Sequence, residues 1–224
     1  MSYSIAIDGP AGAGKSTIAR LVAKEKGLIY VDTGAMYRAM ALFLIKNKIS
    51  PDDAESISSK CNDADITIRY VNNEQVVFLN GENVNAFLRT EEVGNMASKS
   101  SVNPDVRKKL VSLQQRLAAT ADVIMDGRDI GTCVLPNADV KIFLTASSQV
   151  RAKRRYDELV ARGETADFDL IKKDIEERDY RDTHRENSPL KQAEDAVLVD
   201  TSDMSIDEVV SEILKIAHEK EKKK

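Results

Sequence analysis

The first seventeen residues constrain this chain most. An unbroken apolar run, SIAID at 4–8, leads directly into DGPAGAGKST, Asp8 to Thr17. Gly9, Gly14, Lys15 and Ser16 satisfy G-x-x-x-x-G-K-[ST], a loop whose backbone N–H groups turn inward around phosphates at the start of a helix. The pattern has that meaning only where a buried strand enters the loop and a helix leaves it, and both flanks read that way here. A strand–loop–helix opening commits the remainder to an α/β sheet with ligands at the strand C-termini.

Four further short apolar runs read as buried parallel strands: LIYVD (28–32), DVIMD (122–126), VKIFLT (140–145) and AVLVD (196–200). Four of the five runs end in Asp and one in Thr. Such polar residues can form the rim of a site, and ordinary turn chemistry accounts equally well for any one of them. Between the runs lie helical patterns at 15–26 with Gly27 as terminator, and at 36–46. SPDDAESI predicts a helix capped by Ser50 with Pro51 in its first turn, and NPDVRKKLVSLQQRLAA repeats that device with Asn103 and Pro104. SSQVRAKRRYDELVARG predicts a helix from about 147 to Gly163, and DLIKKDIEERDYRDTHR follows it. SIDEVVSEILKIAHEK closes the series, with Ser205 and Glu208 as a capping box, and the tail EKEKKK reads as a solvated helix end.

Residues 64–84 break the alternation. ADITIRYVNNEQVVFLNGENV alternates apolar and polar residues, with turns at Asn72–Asn73 and Asn80–Gly81. Turns this tight exclude parallel crossovers, so the segment is an antiparallel insert. The expected fold is α/β: a P-loop NTPase core with a five-stranded parallel sheet flanked by helices, an inserted small antiparallel β unit, and a helical lid.

Composition removes several functional classes. With 224 residues and a net charge of −4, the chain lacks the basic footprint of a nucleic-acid binder. No run of about 18 apolar residues is present, so no transmembrane helix is expected. The first strand begins at once, which leaves no room for a signal peptide, and the expected location is the cytoplasm. Cys61 and Cys133 are far apart and read as reduced thiols, while His184 and His218 have no ligand cluster around them, which argues against zinc.

The chemistry-bearing residues gather in four stretches. In the loop, Gly9, Pro10, Ala11, Gly12, Ala13, Gly14, Lys15, Ser16 and Thr17 read as a cradle for nucleotide phosphates; Lys15 would reach the β/γ oxygens and the Ser16 hydroxyl would ligate Mg²⁺. In VIMDGRDIG, Asp126 ends a strand as the second Mg²⁺ partner, and the Arg128 fork suits a phosphate oxyanion, with Asp129 beside it. A surface turn held by a local ion pair is the alternative for GRD. Arg151, Arg154 and Arg155 share a helical face, as do Arg178, Arg181 and Arg185, with Asp182 four residues beyond Arg178. Two arginine-bearing helices can close over phosphates and exclude water; they can equally be a solvated pair laced with ion pairs. In VDTGAMYR, Thr33 and Gly34 follow a strand, Arg38 suits an acceptor phosphate, and Tyr37 is either a sugar- or base-packing ring or a half-buried helix tyrosine.

In their order, DGPAGAGKST, DTGAMYR, MDGRDIGT and ERDYRD..R resemble the bacterial cytidylate kinases, a family of nucleoside monophosphate kinases, and the resemblance spans essentially the whole chain, insert included. It implies Mg²⁺-dependent transfer of the ATP γ-phosphate to CMP or dCMP; the chain is expected to act as a monomer, with neither a nucleic-acid nor a membrane partner. One kinase domain, 1–224, is expected: a core of 1–32, 104–147 and 186–224, a monophosphate-binding region at 33–103 with the insert 64–84, and a lid at 148–185. Carried onto this sequence, Arg38, Arg128 and Arg178 bind the acceptor phosphate, and Lys15, Arg128 and Arg178 are the catalytic cations. Asp182 accepts from the sugar hydroxyls, while Ser98, Arg107, Asp129 and Arg185 surround the base, with Thr33 and Tyr37 completing the CMP set. Arg154, with Arg151 and Arg155, faces the ATP phosphates or adenine. The family most often has Ser at the position of Thr33; the hydroxyl is kept. Cytosine offers an amino donor at N4 and acceptors at N3 and O2, which a carboxylate or hydroxyl and an arginine can match. Uracil would present a carbonyl to Asp129.

Overall fold

Residues 4–8 are buried at every position, the condition under which a strand is apolar throughout rather than alternating. They form β1 of a computed structural model that describes residues 2–72 and 74–222. In chain order the elements are β1 (Ser4–Asp8), α1 (Lys15–Lys26), β2 (Ile29–Asp32), α2 (Thr33–Lys46), α3 (Ala54–Lys60), β3 (Ile66–Val71), β4 (Glu74–Leu79) and β5 (Glu82–Asn83). They continue as α4 (Glu91–Ser100), α5 (Pro104–Thr120), β6 (Val123–Gly127), β7 (Val140–Thr145), α6 (Ser148–Ala161), α7 (Phe168–His184), β8 (Val197–Asp200) and α8 (Ile206–Glu221). A short π-helical turn, Ile130–Val134, lies between β6 and β7.

The chain divides into two compact units, Ile29–Ala121 and Tyr3–Leu28 with the chain from Asp122 onward. In the latter, four parallel strands run in the order β6-β1-β7-β8. The register sets Ile7 against Asp126 and Asp8 against Gly127, so two acidic strand ends lie side by side where the glycine loop begins. Ile5, Ile7, Ile124, Ile142 and Leu144 fill the sheet interior, covered by Ile18 and Val22 of α1 and Ile213 of α8. β8 has exposed positions and closes the sheet as an edge strand. α6 and α7 pack together as a helical hairpin, with the Tyr156 and Phe168 rings edge to face at 6.3 Å.

The other unit opens with β2, the fifth of the runs read as core strands, and contains the antiparallel sheet β3-β4-β5. Asn80 and Gly81 both have positive φ, 50° and 84°, as a two-residue hairpin turn requires. Asn73, half of the other expected turn, and 223–224 of the tail lie outside the described residues. α2 buries Met36, Met40 and Leu44 and is packed by α4 and α5.

Local chemistry explains the departures from the sequence reading. The helix expected from Ser50 starts at Ala54, because the Asp53 carboxylate accepts from Ser56 N at 3.0 Å and wins the cap; Pro51 sits in the preceding turn. α2 starts earlier than expected, at Thr33, because Asp32 Oδ1 accepts from Ala35 N at 2.9 Å. α4 was not expected at all, yet Thr90 caps it and Glu91 and Glu92 occupy its first turn, where acids favour the helix dipole.

Candidate active site

The P-loop geometry follows from two glycines. A Cβ on Gly9 would lie 1.9 Å from the Leu144 carbonyl oxygen, so the loop leaves β1 pressed against β7 and nothing larger than hydrogen fits. Gly14 caps α1 at φ 85°, which leaves the first N–H groups of α1 unobstructed by a side chain. Lys15 is buried, and its Nζ donates to Pro10 O at 2.7 Å. Burial drives its pKa well below the usual lysine range, and the nearby Arg128 and Arg178 guanidiniums push the same way against Asp126 and Asp8. Lys15 is thus held chiefly by burial, with the Arg128 and Arg178 guanidiniums and the Asp126 and Asp8 carboxylates close around it.

Ser16 Oγ donates to Asp126 Oδ2 at 2.8 Å, a contact made possible by the β1–β6 register. Arg128 Nε donates to Asp182 Oδ2 at 2.8 Å. Burial alone would raise the Asp182 carboxyl, but the charges of Arg128, Arg178 and Arg185 overcome it and hold the group below the ordinary aspartate value. Asp129 and Arg185 form a second buried pair, Oδ1 to Nη2 3.8 Å, while Arg185 Nε donates to Ser188 O at 2.6 Å. Lys15, Ser16, Asp126, Arg128, Asp129, Arg178, Asp182 and Arg185 thus belong to one unit and one connected electrostatic neighbourhood.

The three arginines that share a face of α6 go to different partners. Arg151 turns inward onto the P-loop and α7; Arg154 donates to Thr201 Oγ1 at 3.2 Å and Thr201 O at 2.7 Å; Arg155 pairs with Glu158 at 2.9 Å. Spacing reports a common face, but only the packing of α7 decides which of the three is covered.

In the other unit, Thr33 is buried at the start of α2. A Cβ on Gly34 would meet Asp32 Oδ1 at 3.2 Å and Arg38 Nη1 at 3.4 Å, so the missing side chain lets the Arg38 guanidinium fold over the turn. The Arg107 guanidinium, on α5, lies 5.9 Å from the centre of the Tyr37 ring and is buried there. Ser98 is half-buried on α4.

Two residues that motif reasoning passed over are built into these arrangements. Asp8 accepts from Ile130 N and Gly131 N, both at 2.7 Å, and so caps the π-helical turn that directly follows Arg128 and Asp129. Its burial pushes the carboxyl up to about 6 despite those two bonds. Gln75, on the insert, accepts from Asp32 N at 2.8 Å and donates to Asp32 O at 3.1 Å, fixing the insert to the turn that carries Thr33 and Arg38. The signal for Asp8 was its place at a strand end; nothing local marked Gln75.

The architecture is a P-loop α/β fold. It resembles a solved gluconokinase from Sinorhizobium meliloti, TM-score 0.52, 14% identity, over 97% of this chain and 92% of that one. It also resembles a solved uncharacterized protein from Eubacterium ventriosum, TM-score 0.53, 12% identity, over 98% and 99%. Likeness at these identities carries the fold alone. The sequence goes further: the family model described as cytidylate kinase matches residues 5–219, and the chain belongs to that family. A relative from Ligilactobacillus salivarius named cytidylate kinase is 52% identical over 96% of each chain. A second of that name, from Caldicellulosiruptor bescii, is 51% identical over 95% of this chain and 94% of its own.

Proposed function

We propose that this chain transfers the γ-phosphate of ATP to CMP or dCMP, giving ADP and the corresponding diphosphate, as a cytoplasmic monomer. One observation carries the reading beyond family membership. In the same unit as the P-loop lysine stand two carboxylate–guanidinium pairs, the half-buried Arg128–Asp182 at 2.8 Å and the buried Arg185–Asp129 at 3.8 Å. A pocket for an anionic nucleotide with a donor–acceptor base edge needs both signs of charge, and this arrangement supplies them. No helix among the described residues is long and apolar enough to cross a membrane.

The P-loop N–H groups and Lys15 hold the donor phosphates, and Arg128 and Arg178 align the acceptor phosphate while stabilising the charge that spreads over the transferred group. An acceptor phosphate oxygen is already anionic near neutral pH, so no side chain has to remove a proton. Asp182 accepts from the sugar hydroxyls and Asp129 from the cytosine amino group; Arg185 donates to the ring acceptors. From the other unit, Arg38 contributes to phosphate binding, and Thr33, Tyr37, Ser98 and Arg107 to the rest of the nucleotide. Arg154 contributes on the ATP side. Ser16 Oγ and Asp126 Oδ2 are two hard oxygen donors already brought within 2.8 Å of each other, a set that fits a cation otherwise coordinated by phosphate and water. Ser16 and Asp126 would hold Mg²⁺, which when bound neutralises charge on the donor phosphates.

A coupled ADP-release assay with MgATP and a panel of CMP, dCMP, UMP and AMP tests the reading. ADP release should depend on CMP or dCMP. Faster turnover of UMP or AMP, or slow hydrolysis indifferent to CMP, would overturn it.

A further inference from the structure

Arg151 is 4% exposed, and its hydrogen bonds reach three separate parts of its unit. Nε donates to Ala146 O at 2.8 Å, at the β7–α6 junction. Nη1 donates to Ala11 O at 2.9 Å, in the middle of the P-loop, and to Asp179 Oδ1 at 3.1 Å. Nη2 donates to Asp179 Oδ2 at 2.5 Å. The stem supports the same loop, since a Cβ on Gly12 would lie 3.4 Å from Arg151 Cβ. Asp179 sits on α7 next to Arg178 and one turn before Asp182, whose carboxylate holds Arg128 at 2.8 Å. Arg128 follows Asp126 on the same strand end, and Asp126 accepts from Ser16 of the P-loop. The polar connections therefore close a ring: P-loop, Arg151, Asp179, α7, Asp182, Arg128, the β6 end, and back to the P-loop.

A guanidinium is suited to this place. It presents donors in a planar fork that can serve a carboxylate bidentately and a carbonyl at once, which an ammonium on a flexible stem cannot do with fixed geometry. A staple between α6 and α7 alone would need only the Asp179 contact. The bond to Ala11 O ties that staple to the loop that holds the donor phosphates.

We propose that Arg151, with Asp179, is a positioning pair for phosphoryl transfer: it sets α7, and through it Arg178 and the Asp182–Arg128 pair, against the backbone of the P-loop. It rests on the kinase reading above. Arg151 need not touch either nucleotide; it fixes the distance between the cations that align the acceptor and the loop that holds the donor. Small misplacements of that kind cost rate while leaving each substrate bound.

The test uses Arg151→Lys, Asp179→Asn and the double variant, with kcat and KM for both substrates, direct binding of each nucleotide, and thermal unfolding. Either single change should lower kcat about 10- to 100-fold, the range for lost charge-assisted hydrogen bonds, with both KM values and both binding constants within about threefold of wild type. The double variant should be no worse than the poorer single one, because the pair acts as a unit. Asp179→Asn keeps the Arg151 bonds to Ala11 and Ala146, so it remains informative if Arg151→Lys folds poorly. Variants that melt lower but keep wild-type kcat at a temperature where they are folded would reduce the pair to a stability element and overturn the proposal. Independent, additive losses would overturn it too. Failure of the kinase reading would show separately, as absent CMP-dependent ADP release by the wild-type chain.

Discussion

Replacing Arg128 with Ala removes one guanidinium and should produce two separable losses. Arg128 Nε lies 2.8 Å from Asp182 Oδ2, with the two side chains 20% and 11% exposed. Breaking a buried pair by deleting one partner costs about 3–5 kcal/mol when the survivor is left uncompensated. Asp182 is not left so, because Arg178 and Arg185 also lower its pKa; about 1–3 kcal/mol of stability is expected instead. The catalytic loss is larger in effect. A donor aimed at charge developing in the transition state is worth about 2–4 kcal/mol, or roughly 30- to 1,000-fold in kcat/KM. Steady-state ADP release at saturating MgATP with varied CMP reads the second loss, and urea unfolding the first. Adding Asp182→Asn to Arg128→Ala separates them: it removes the charge that has lost its bonded partner and should recover part of the stability and none of the rate. Recovery of the rate would mean that Arg128 serves only to neutralise Asp182. A single variant within about threefold of wild type would refute the transition-state role.

Three other perturbations have defined outcomes. Gly9→Ala would place a methyl 1.9 Å from the Leu144 carbonyl oxygen, an overlap with backbone that should cost more than about 3 kcal/mol; an unchanged unfolding midpoint would show that the β1–β7 contact is loose. Asp8 has its pKa raised to about 6 from 3.8, so between those values the folded state binds more protons than the unfolded one. Stability should therefore fall, by up to about 3 kcal/mol, as pH rises from about 4 to about 6, and NMR of the Asp8 carboxyl should show a midpoint near 6 rather than at or below 3.8. Gln75→Leu removes both bonds to Asp32 at 2.8 and 3.1 Å and should raise KM for CMP by about tenfold with little change for ATP; equal changes in both would detach Gln75 from acceptor binding.

The division between what was legible and what was not follows sequence separation. The strand–loop–helix at 4–26 is set by contiguous residues, and so are the caps at Asn103 and Ser205, where the side chain answers an N–H two or three residues away. The insert was legible because its period is two and its second turn, Asn80–Gly81, uses residues that tolerate positive φ. The contacts that organise the site are of another kind: Asp8 to Ile130, Arg151 to Ala11 and Arg128 to Asp182 join residues 122, 140 and 54 positions apart. No periodicity reports such pairs. The arginines of α6 show the limit most clearly, since 151, 154 and 155 share a spacing-defined face while only Arg151 is buried. The overlooked α4 is a different failure: its signal, Thr90 followed by two glutamates, was local and readable.

The fold alone does not choose the acceptor, since a gluconokinase with 14% identity shares it. The choice must lie in side chains added to the common frame, and under the proposed function the Asp129–Arg185 pair is the one to examine. Its charges lie 3.8 Å apart, close enough for Coulomb attraction and too far for a good hydrogen bond. Both side chains are nearly buried, 7% and 6% exposed, so each carries a desolvation cost, and Arg185 Nε also donates to Ser188 O at 2.6 Å. A cytosine edge would give the carboxylate an N–H donor and the guanidinium acceptors at hydrogen-bond distance. Uracil would improve only the arginine's contacts and set a carbonyl against Asp129. Discrimination by such a pair comes less from attraction to the right base than from the unpaired buried charge left by the wrong one. Asp8 belongs to the same device. By holding Ile130 N and Gly131 N at 2.7 Å, it anchors the chain immediately after Asp129, and a carboxylate that discriminates by misfit has to be kept from moving to accommodate the misfit.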